Sequence, residues 1–277
     1  MALRIATNVP SLTAQRALNG NQRTTDKAMA QLSTGSRITK AADDAAGLSI
    51  SESLRSNIRS YVQAGRNTQD GISMVQVAEG GLSEVANMIN RFRELSIQAA
   101  SDTIDERERG FIQAEVDQLK LEVERIAQAT QFGEKKLLNG EGGVFDFQVG
   151  IHGDPELNAI SYDASDTDVT LGSLGLSGLD LSSKSGAQSA IEDIDEALVG
   201  VNGQRAKLGA LQNRLVTTTE NIDSAVENLS AANSRVRDAD IAQSSAELTK
   251  GNILQNATTS ILSQANVNPQ MALKLVG

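Results

Sequence analysis

The sequence predicts a mainly α-helical protein, built as a long antiparallel bundle of coiled-coil-like helices with a small β-hairpin region. Three observations predict it: a sustained heptad repeat of aliphatic residues, a proline-free stretch at 11–154, and a scarcity of aromatic residues. Aromatic residues make up 3% of the 277 residues and hydrophobic residues 39%, so the expected core is aliphatic. Such a core suits long helices better than an aromatic-lined enzyme pocket.

The strongest heptad repeat lies in the C-terminal half of the chain. A repeat sustained over this length predicts one helix near 188–238 in a left-handed coiled coil or bundle. An ordinary amphipathic helix in a compact domain is the alternative, and the regularity of the repeat favours the bundle. Ser185 and Gln188 form a candidate capping box at the start of the helix. The predicted bundle seam consists of Ile194, Val201, Leu208, Leu215, Ile222, Leu229 and Val236.

The N-terminal half carries matching patterns. Apolar residues recur at intervals of three and four in 82–92 and again in 112–126. Capping and acidic residues concentrate at 101–106, as they do at the start of a helix. We therefore expect one helix near 44–100 and a second near 104–130, which with 188–238 makes at least a three-helix antiparallel bundle.

Two pairs of aspartates lie beside predicted helix boundaries, Asp43 with Asp44 and Asp238 with Asp240. Paired carboxylates can serve acid–base chemistry or bind a metal ion. At a helix boundary, however, an aspartate typically accepts hydrogen bonds from the backbone N–H groups of the first turn. Capping is therefore their expected role.

The segment 140–185 differs from the helical regions around it. Glycines open the segment, and residues 144–149 alternate apolar and polar as a strand does. One or two hairpins and a loop are expected here. The segment is too short for an independent enzymatic domain.

The two chain ends are amphipathic but thinly apolar, and rich in Ala, Gln, Asn, Ser and Thr. Packing supplies most of the stability of a helix, so two such ends bury little in a single chain. Neighbouring copies of the chain would have to cover them. Their apolar positions are Leu12, Leu18, Met29 and Leu32 at the N-terminal end, and Leu254, Ile261, Leu273 and Leu275 at the C-terminal end.

The composition argues against an enzyme, and we predict no catalytic, cofactor-binding or metal site. The chain has no cysteine and one histidine, His152, which we expect on a surface loop. Asp166 and Asp168 resemble the start of a calcium loop, but Leu171 replaces its glycine and Ser177 its final glutamate. A net charge of −10 argues against nucleic-acid binding, and no apolar run is long enough to cross a membrane. The first ten residues also lack the apolar stretch of a cleavable signal peptide, which taken alone indicates the cytoplasm.

Several motifs near both ends of the chain resemble those of bacterial flagellin, and they cover roughly 1–139 and 186–277. The N-terminal matches include Leu32-Ser-Thr-Gly-Ser-Arg-Ile38, Ala41-Ala-Asp-Asp-Ala-Ala-Gly-Leu-Ser-Ile-Ser51 and Arg66-Asn-Thr-Gln-Asp-Gly71. The C-terminal matches include Ala231-Ala-Asn-Ser-Arg-Val-Arg-Asp-Ala-Asp240 and Pro269-Gln-Met-Ala-Leu-Lys-Leu275. The chain resembles a minimal flagellin, without the large central surface domains of longer family members.

The resemblance implies a hairpin-shaped subunit with paired terminal helices. Residues 1–40 and 241–277 would form the two halves of an inner-tube helical domain. Residues 41–139 and 186–240 would form a rod domain, and 140–185 its β-hairpin region. Head-to-tail contacts that do not close into a ring generate an open helical filament, so the apolar end positions named above are the expected polymerisation residues.

The resemblance also implies the function, location and partners. The chain would be the structural subunit of an extracellular flagellar filament used for swimming, exported without a cleavable signal. Its partners would be other copies of itself, an export chaperone, and the filament cap and hook-junction proteins. The host flagellin-sensing Toll-like receptor is a further implied partner, through the residues that resemble its motif: Arg91, Leu95 and Glu115.

Two alternative functions are weighed against the filament subunit. A hook–filament junction protein resembles flagellin at both ends but usually diverges in the block corresponding to 41–51 and in the terminal leucines. Both match here, which favours flagellin. A secreted enzyme or adhesin would need a substantial central insert, which 140–185 does not supply.

Overall fold

The computed structural model describes residues 7–276, with side chains described for 7–267. Long helices dominate this part of the chain, and the strands are short and paired antiparallel. The predicted mainly helical fold with a small hairpin region is confirmed. The helices are α1 (Val9–Thr34), α2 (Ala45–Ala99), α3 (Glu106–Ala129), α4 (Pro155–Asn158), α5 (Lys184–Arg237) and α6 (Ile241–Val276), and the strands are β1 (Gln131–Phe132), β2 (Lys135–Lys136), β3 (Val144–Gln148) and β4 (Ala159–Asp163).

The chain divides into two compact units. The terminal unit contains the residues up to Ile58 and from Asn228 onward, and the central unit contains 59–227. The boundaries between the two units fall inside α2 and α5. One contact that holds the start of α2 in the terminal unit is an ion pair of 2.5 Å between Arg237 Nη1, near the end of α5, and Glu52 Oε1.

The break between α2 and α3 occurs where the sequence predicts it and needs no proline. Arg109 is buried, and its guanidinium donates hydrogen bonds to the carbonyl oxygens of Ala99 (2.8 Å) and Ser101 (3.0 Å). The first bond satisfies a carbonyl that the end of α2 leaves without a partner, and the second ties the guanidinium to the turn that follows. Asp105 then starts α3 through a reciprocal capping box with Glu108.

The core of the central unit lies between α2, α3 and α5. Ile194, Val201, Leu208 and Leu215 of the heptad repeat are buried in it. Ile222, also buried, lies against Gly65 of α2, which leaves room for its methyl groups. The partners of the α5 residues in the same cluster include Val85, Ile89 and Phe92 of α2 and Ile112, Val116 and Val123 of α3.

Helix α5 begins earlier than predicted. Its first residue is Lys184, and the Ser183 hydroxyl oxygen accepts a hydrogen bond of 3.1 Å from the Gly186 N–H. The capping box predicted from Ser185 and Gln188 is therefore wrong, because both residues lie inside the helix. Ser183, one position before the helix, instead provides the acceptor for a backbone N–H of the first turn.

The predicted strand forms the first half of a hairpin, β3 with β4, in which Val144 pairs with Asp163 and Gln148 with Ala159. The rings of Phe145 and Tyr162 stack across the two strands, with centroids 6.1 Å apart. The second small pair, β1 with β2, was not predicted from the sequence. Two-residue strands are too short to show an alternating pattern.

The irregular segment 164–183 is packed against the central unit. Leu176 and Leu181 are buried in the common core. From α3, Lys120 Nζ donates a hydrogen bond of 2.6 Å to the Leu179 carbonyl, and Gln113 Oε1 accepts one of 2.7 Å from the Leu181 N–H. Side chains of α3 thus satisfy backbone groups that the loop cannot pair by itself.

Candidate assembly surface on the terminal helices

Helices α1 and α6 pack against each other through small side chains. The buried residues of the two helices are alanines, serines and threonines, with one glycine and one glutamine. Small side chains allow two helix backbones to approach closely. The residues buried on α1 are Ser11, Ala14, Thr25, Ala28 and Gln31, and those on α6 are Ser244, Gly251, Thr258 and Ala265.

Polar contacts set the register between the two helices. Asn8 Nδ2 donates a hydrogen bond of 2.8 Å to the Ala265 carbonyl, and Ser11 Oγ donates one of 2.8 Å to Asn266 Oδ1. About three turns further along α1, Asn21 Nδ2 donates to Thr258 Oγ1 at 3.1 Å. Sliding one helix along the other would leave these groups without partners, so one alignment is favoured.

The larger aliphatic side chains of the terminal helices face outward. Ile253 and Ile261 of α6 are 63% and 61% exposed, whereas Ala28 of the α1–α6 interface is 1% exposed. This reverses the usual distribution, in which large aliphatic residues are buried first. The exposed aliphatic residues of the two helices are Val9, Leu12, Met29, Ile241, Ile253, Leu254, Ile261 and Val267.

The predicted polymerisation residues occupy different positions in this arrangement. Leu12, Met29, Leu254 and Ile261 are exposed, and Leu18 and Leu32 are half-buried. The side chains of Leu273 and Leu275 lie outside the described residues. Val9, Ile241 and Ile253 are also exposed but were not predicted, because an apolar pattern does not tell which side of a helix its neighbour covers.

One face of α6 also forms a shallow groove. The groove has a volume of about 520 Å³ and is lined by apolar and small residues with a single charge, that of Lys250. The lining residues are Ser245, Ala246, Thr249, Lys250, Ile253 and Leu254. A groove of this character fits another apolar helix better than a polar ligand.

Hydrogen bonds join the two segments that lead into and out of the terminal helices. The Arg37 N–H donates to the Arg237 carbonyl at 2.6 Å, and the Ala239 N–H donates to the Gly35 carbonyl at 2.9 Å. These bonds form a small bridge between the end of α1 and the start of α6, next to Asp238. In the same unit, the last two residues of the predicted seam, Leu229 and Val236, are half-buried.

Two of the four aspartates beside the helix boundaries cap the helix that follows them. Asp44 Oδ1 accepts a hydrogen bond of 2.8 Å from the Gly47 N–H, and Asp240 Oδ1 accepts one of 2.8 Å from the Ala242 N–H. This confirms the expected role of these two residues. Asp43 accepts hydrogen bonds from Lys27, at 3.0 Å, and from the backbone and hydroxyl of Thr39, and these bonds hold its pKa far below its usual range.

The three residues of the implied receptor contact lie together in the central unit, but they differ in access. Arg91 Nη2 pairs with Glu115 Oε1 at 2.8 Å, and Nη1 pairs with Glu94 at 2.9 Å. These carboxylates, Glu115 foremost, raise the pKa of Arg91. Leu95 is 2% exposed and belongs to the core, so its side chain is not available to a partner in this conformation.

The histidine, the acidic clusters and the apolar stretches of the described chain complete the survey of candidate sites. His152 is exposed in a loop before α4. Within 7–276, acidic and histidine side chains nowhere gather in threes at metal-binding distance. None of the helices in that range is both long and apolar enough for a bilayer crossing.

The fold and the exposed faces of α1 and α6 define a class of protein: a helical structural protein whose chain ends present aliphatic surface for assembly. Comparison with known proteins identifies the family within this class. The model of the bacterial flagellin N-terminal helical region matches 5–142, and that of the bacterial flagellin C-terminal helical region matches 191–276.

Whole proteins and a solved structure agree with these matches. The chain is 44% identical to a flagellin of Halalkalibacterium halodurans, over 97% of this chain and 98% of that protein. It is 40% identical to the flagellar filament 30.7 kDa core protein of Treponema maltophilum, again over 97% and 98%. The crystal structure of Bacillus cereus flagellin is similar with a TM-score of 0.51 and 28% identity, covering 61% of this chain and 94% of that one.

This chain belongs to the bacterial flagellin family, in a minimal form without a large central domain. It is a structural subunit that polymerises into the extracellular flagellar filament used for motility. The likeness extends to full-length flagellins and does not favour the alternative of a hook–filament junction protein.

Proposed function

We propose that the subunit polymerises through the outward faces of α1 and α6. The observation that carries this proposal is the reversed burial in the terminal unit, where small residues fill the helix interface and larger aliphatic residues are exposed. Burial of apolar surface stabilises by roughly 25 cal/mol per Å². Burial of several exposed aliphatic side chains per copy against neighbouring copies therefore favours polymerisation.

The domain roles follow from this proposal. Residues 1–40 with 241–277 form the inner tube of the filament, and 41–139 with 186–240 form the surrounding rod. The hairpin region 140–185 lies on the rod. The expected polymerisation contacts are Leu12, Leu18, Met29, Leu32, Leu254, Ile261, Leu273 and Leu275, and we add the exposed Val9 and Ile253.

Seeded polymerisation tests the proposal. Purified full-length chain and a chain lacking 250–277 are mixed with filament seeds and imaged by electron microscopy. We expect long filaments from the intact chain alone. Filaments from the truncated chain, or their absence from both chains, would contradict the proposed role of the ends.

A pair of point variants locates the driving force more sharply. Ile253→Ser with Ile261→Ser removes two exposed aliphatic side chains from α6, and we expect at least a tenfold rise in critical concentration. The matched control is Val62→Ser with Val77→Ser, two exposed valines on α2 in the central unit. Equal effects of the two pairs would count against the α6 face.

We further infer the partners and export route that the family resemblance implies. An export chaperone would cover the groove on α6 before assembly, which its apolar lining supports. The filament cap and hook-junction proteins would contact the same terminal faces at the two ends of the polymer. Export would proceed without a cleavable signal. No catalytic activity is proposed.

Recognition by the host flagellin-sensing Toll-like receptor is a second candidate function. The exposed ion-pair cluster of Arg91, Glu94 and Glu115 supports it, because charge-assisted and bidentate contacts are strong recognition elements. Leu95 would support this surface from below. In a receptor reporter assay with purified monomer, we expect Arg91→Ala to lower the response and Arg125→Ala, the matched exposed ion-paired arginine on α3, to leave it unchanged. Equal responses from all three proteins would contradict the assignment.

A further inference from the structure

Charge is segregated between the two compact units. The central unit, 59–227, has 14 Lys and Arg against 28 Asp and Glu, a net charge of −14. The segments of the terminal unit, 1–58 and 228–277, have 11 against 7, a net charge of +4. An acidic protein therefore carries basic ends. Such an asymmetry creates opposite potentials that can attract two copies of the chain to each other.

Part of the positive charge lies on the outward side of α1. Arg16 and Arg23 are seven residues apart, so they lie about 10.5 Å apart on the same side of the helix. Both are exposed, as are Val9 and Leu12 on that side. Among the described side chains, no carboxylate lies within ion-pair distance of either arginine. We call Val9, Leu12, Arg16 and Arg23 the α1 basic face.

A face of opposite charge lies near the start of α5. Glu192, Glu196 and Val199 stand at intervals of four and three, so they share one side of the helix. All three are exposed, and Val199 is 73% exposed. Within the described part of the chain, neither glutamate is in an ion pair, whereas the neighbouring Asp195 pairs with Arg93. We call these three residues the α5 acidic face.

The exposed apolar residues of α3 differ in this respect. Phe111 and Leu121 are also exposed. The acidic residues beside them, however, are already paired within the chain, Glu115 with Arg91 and Glu122 with Arg125. The α5 acidic face thus combines exposed apolar surface with two carboxylates free to pair with another molecule, and it complements the α1 basic face in both respects.

We propose that the α1 basic face docks on the α5 acidic face of a second copy of this chain. This inference rests on the proposed function, and it adds which faces meet and which charges select the alignment. A second copy is the favoured occupant because the same chain supplies a face of matching chemistry at the high local concentration of a polymer. Complementary charges at an interface chiefly fix register and suppress wrong alignments.

Charge reversal tests the proposal. We expect Arg16→Glu with Arg23→Glu to raise the critical concentration for seeded polymerisation about tenfold at low salt, and less at high salt, where exposed charges are screened. Adding Glu192→Arg and Glu196→Arg to the same chain should restore most of the loss, which also shows that the reversed chain folds. The matched control is Lys40→Glu with Arg235→Glu, an equal charge change on exposed residues of the terminal unit.

The outcomes separate this inference from the proposed function. Seeded wild-type chain that forms no filaments contradicts both. The inference alone is contradicted if wild type and the Arg16→Glu/Arg23→Glu variant polymerise at the same critical concentration. It is also contradicted if the control variant shows an equal rise in critical concentration, or if the added Glu192→Arg and Glu196→Arg substitutions restore nothing. If the Arg16→Glu/Arg23→Glu variant polymerises as wild type does but no longer binds phosphatidylserine vesicles, the α1 basic face binds an anionic lipid surface and the proposal is overturned.

Discussion

Gly251 of α6 faces Thr25 of α1 so closely that an ideal Cβ at position 251 would overlap the Thr25 hydroxyl oxygen. Thr25 is buried, and its hydroxyl already donates a hydrogen bond of 2.9 Å to the Asn21 carbonyl. The hydroxyl therefore cannot turn away without losing that bond. The lack of a Cβ at position 251 therefore lets α6 lie this close to Thr25 of α1.

Gly251→Ala is expected to weaken the pairing of α1 and α6. The added methyl must push Thr25 or the helices apart, and we expect faster amide hydrogen exchange in α1 and a higher critical concentration for polymerisation. Gly20→Ala is the control, because Gly20 lies in α1 with no atom within 4 Å of an added Cβ. There the alanine should stabilise the helix by about 0.5–1 kcal/mol. Similar exchange rates in the two variants would contradict the steric argument.

Leu208→Ala is expected to destabilise the central unit by about 2–5 kcal/mol. Leu208 is buried in the heptad seam, and its truncation removes apolar contacts and leaves a cavity. Thermal unfolding followed by far-ultraviolet circular dichroism measures the change. Leu121→Ala serves as the control, since Leu121 is exposed on α3, and should stay within about 0.5 kcal/mol of wild type. A cost for Leu208→Ala no larger than this would argue against a continuous seam.

Asp195→Asn is expected to reduce the acid sensitivity of the central unit. A hydrogen bond from Arg93, 2.6 Å from Nε to Oδ1, holds the pKa of Asp195 below its ordinary value. The unfolded-state pKa of an aspartate is about 3.9, so the pair stabilises the folded state above that pH. This stabilisation is lost as the pH falls through the lowered folded-state pKa.

Chemical denaturation at a series of pH values between about 6 and 2 checks this prediction. The free energy of unfolding of Asp195→Asn should fall less steeply below about pH 4 than that of wild type. Asp193→Asn removes an exposed carboxylate from the same helix turn, outside the ion pairs of the described residues, and should follow the wild-type slope. Identical slopes for all three proteins would refute the assigned linkage.

Arg109→Ala is expected to destabilise the turn between α2 and α3, at a cost of about 2–4 kcal/mol. The variant leaves the buried carbonyl of Ala99 without its donor and leaves the Ser101 carbonyl with the Ile104 N–H alone, at 3.4 Å. Hydrogen exchange should show fraying at the end of α2. Arg107→Ala, at an exposed position two residues earlier, is the control and should change little. A stable Arg109→Ala variant would mean that the Asp105 capping box alone defines the turn.

The sequence by itself determined the helical architecture and most helix ends. The apolar repeats and the capping residues beside them place α2, α3 and α5 within a few residues of their observed bounds, because both signals are local to each helix. Asp44, Asp105 and Asp240 mark helix starts through hydrogen bonds to N–H groups two or three residues away. These interactions join residues that are close together in the sequence, so the sequence predicts them directly. The family motifs are continuous blocks of sequence and are recognised for the same reason.

Only the tertiary structure decided which faces are covered. The apolar pattern of α1 contains both Leu12, which is exposed, and Ala14, which is buried. Leu95 likewise resembles a receptor contact in the sequence but is buried in the central core. In each case the outcome depends on a partner far away in the chain: α6 covers the small residues of α1, and residues of α3 and α5 share the core that takes in Leu95. Burial is a property of pairs of surfaces, and a linear pattern specifies one member of each pair.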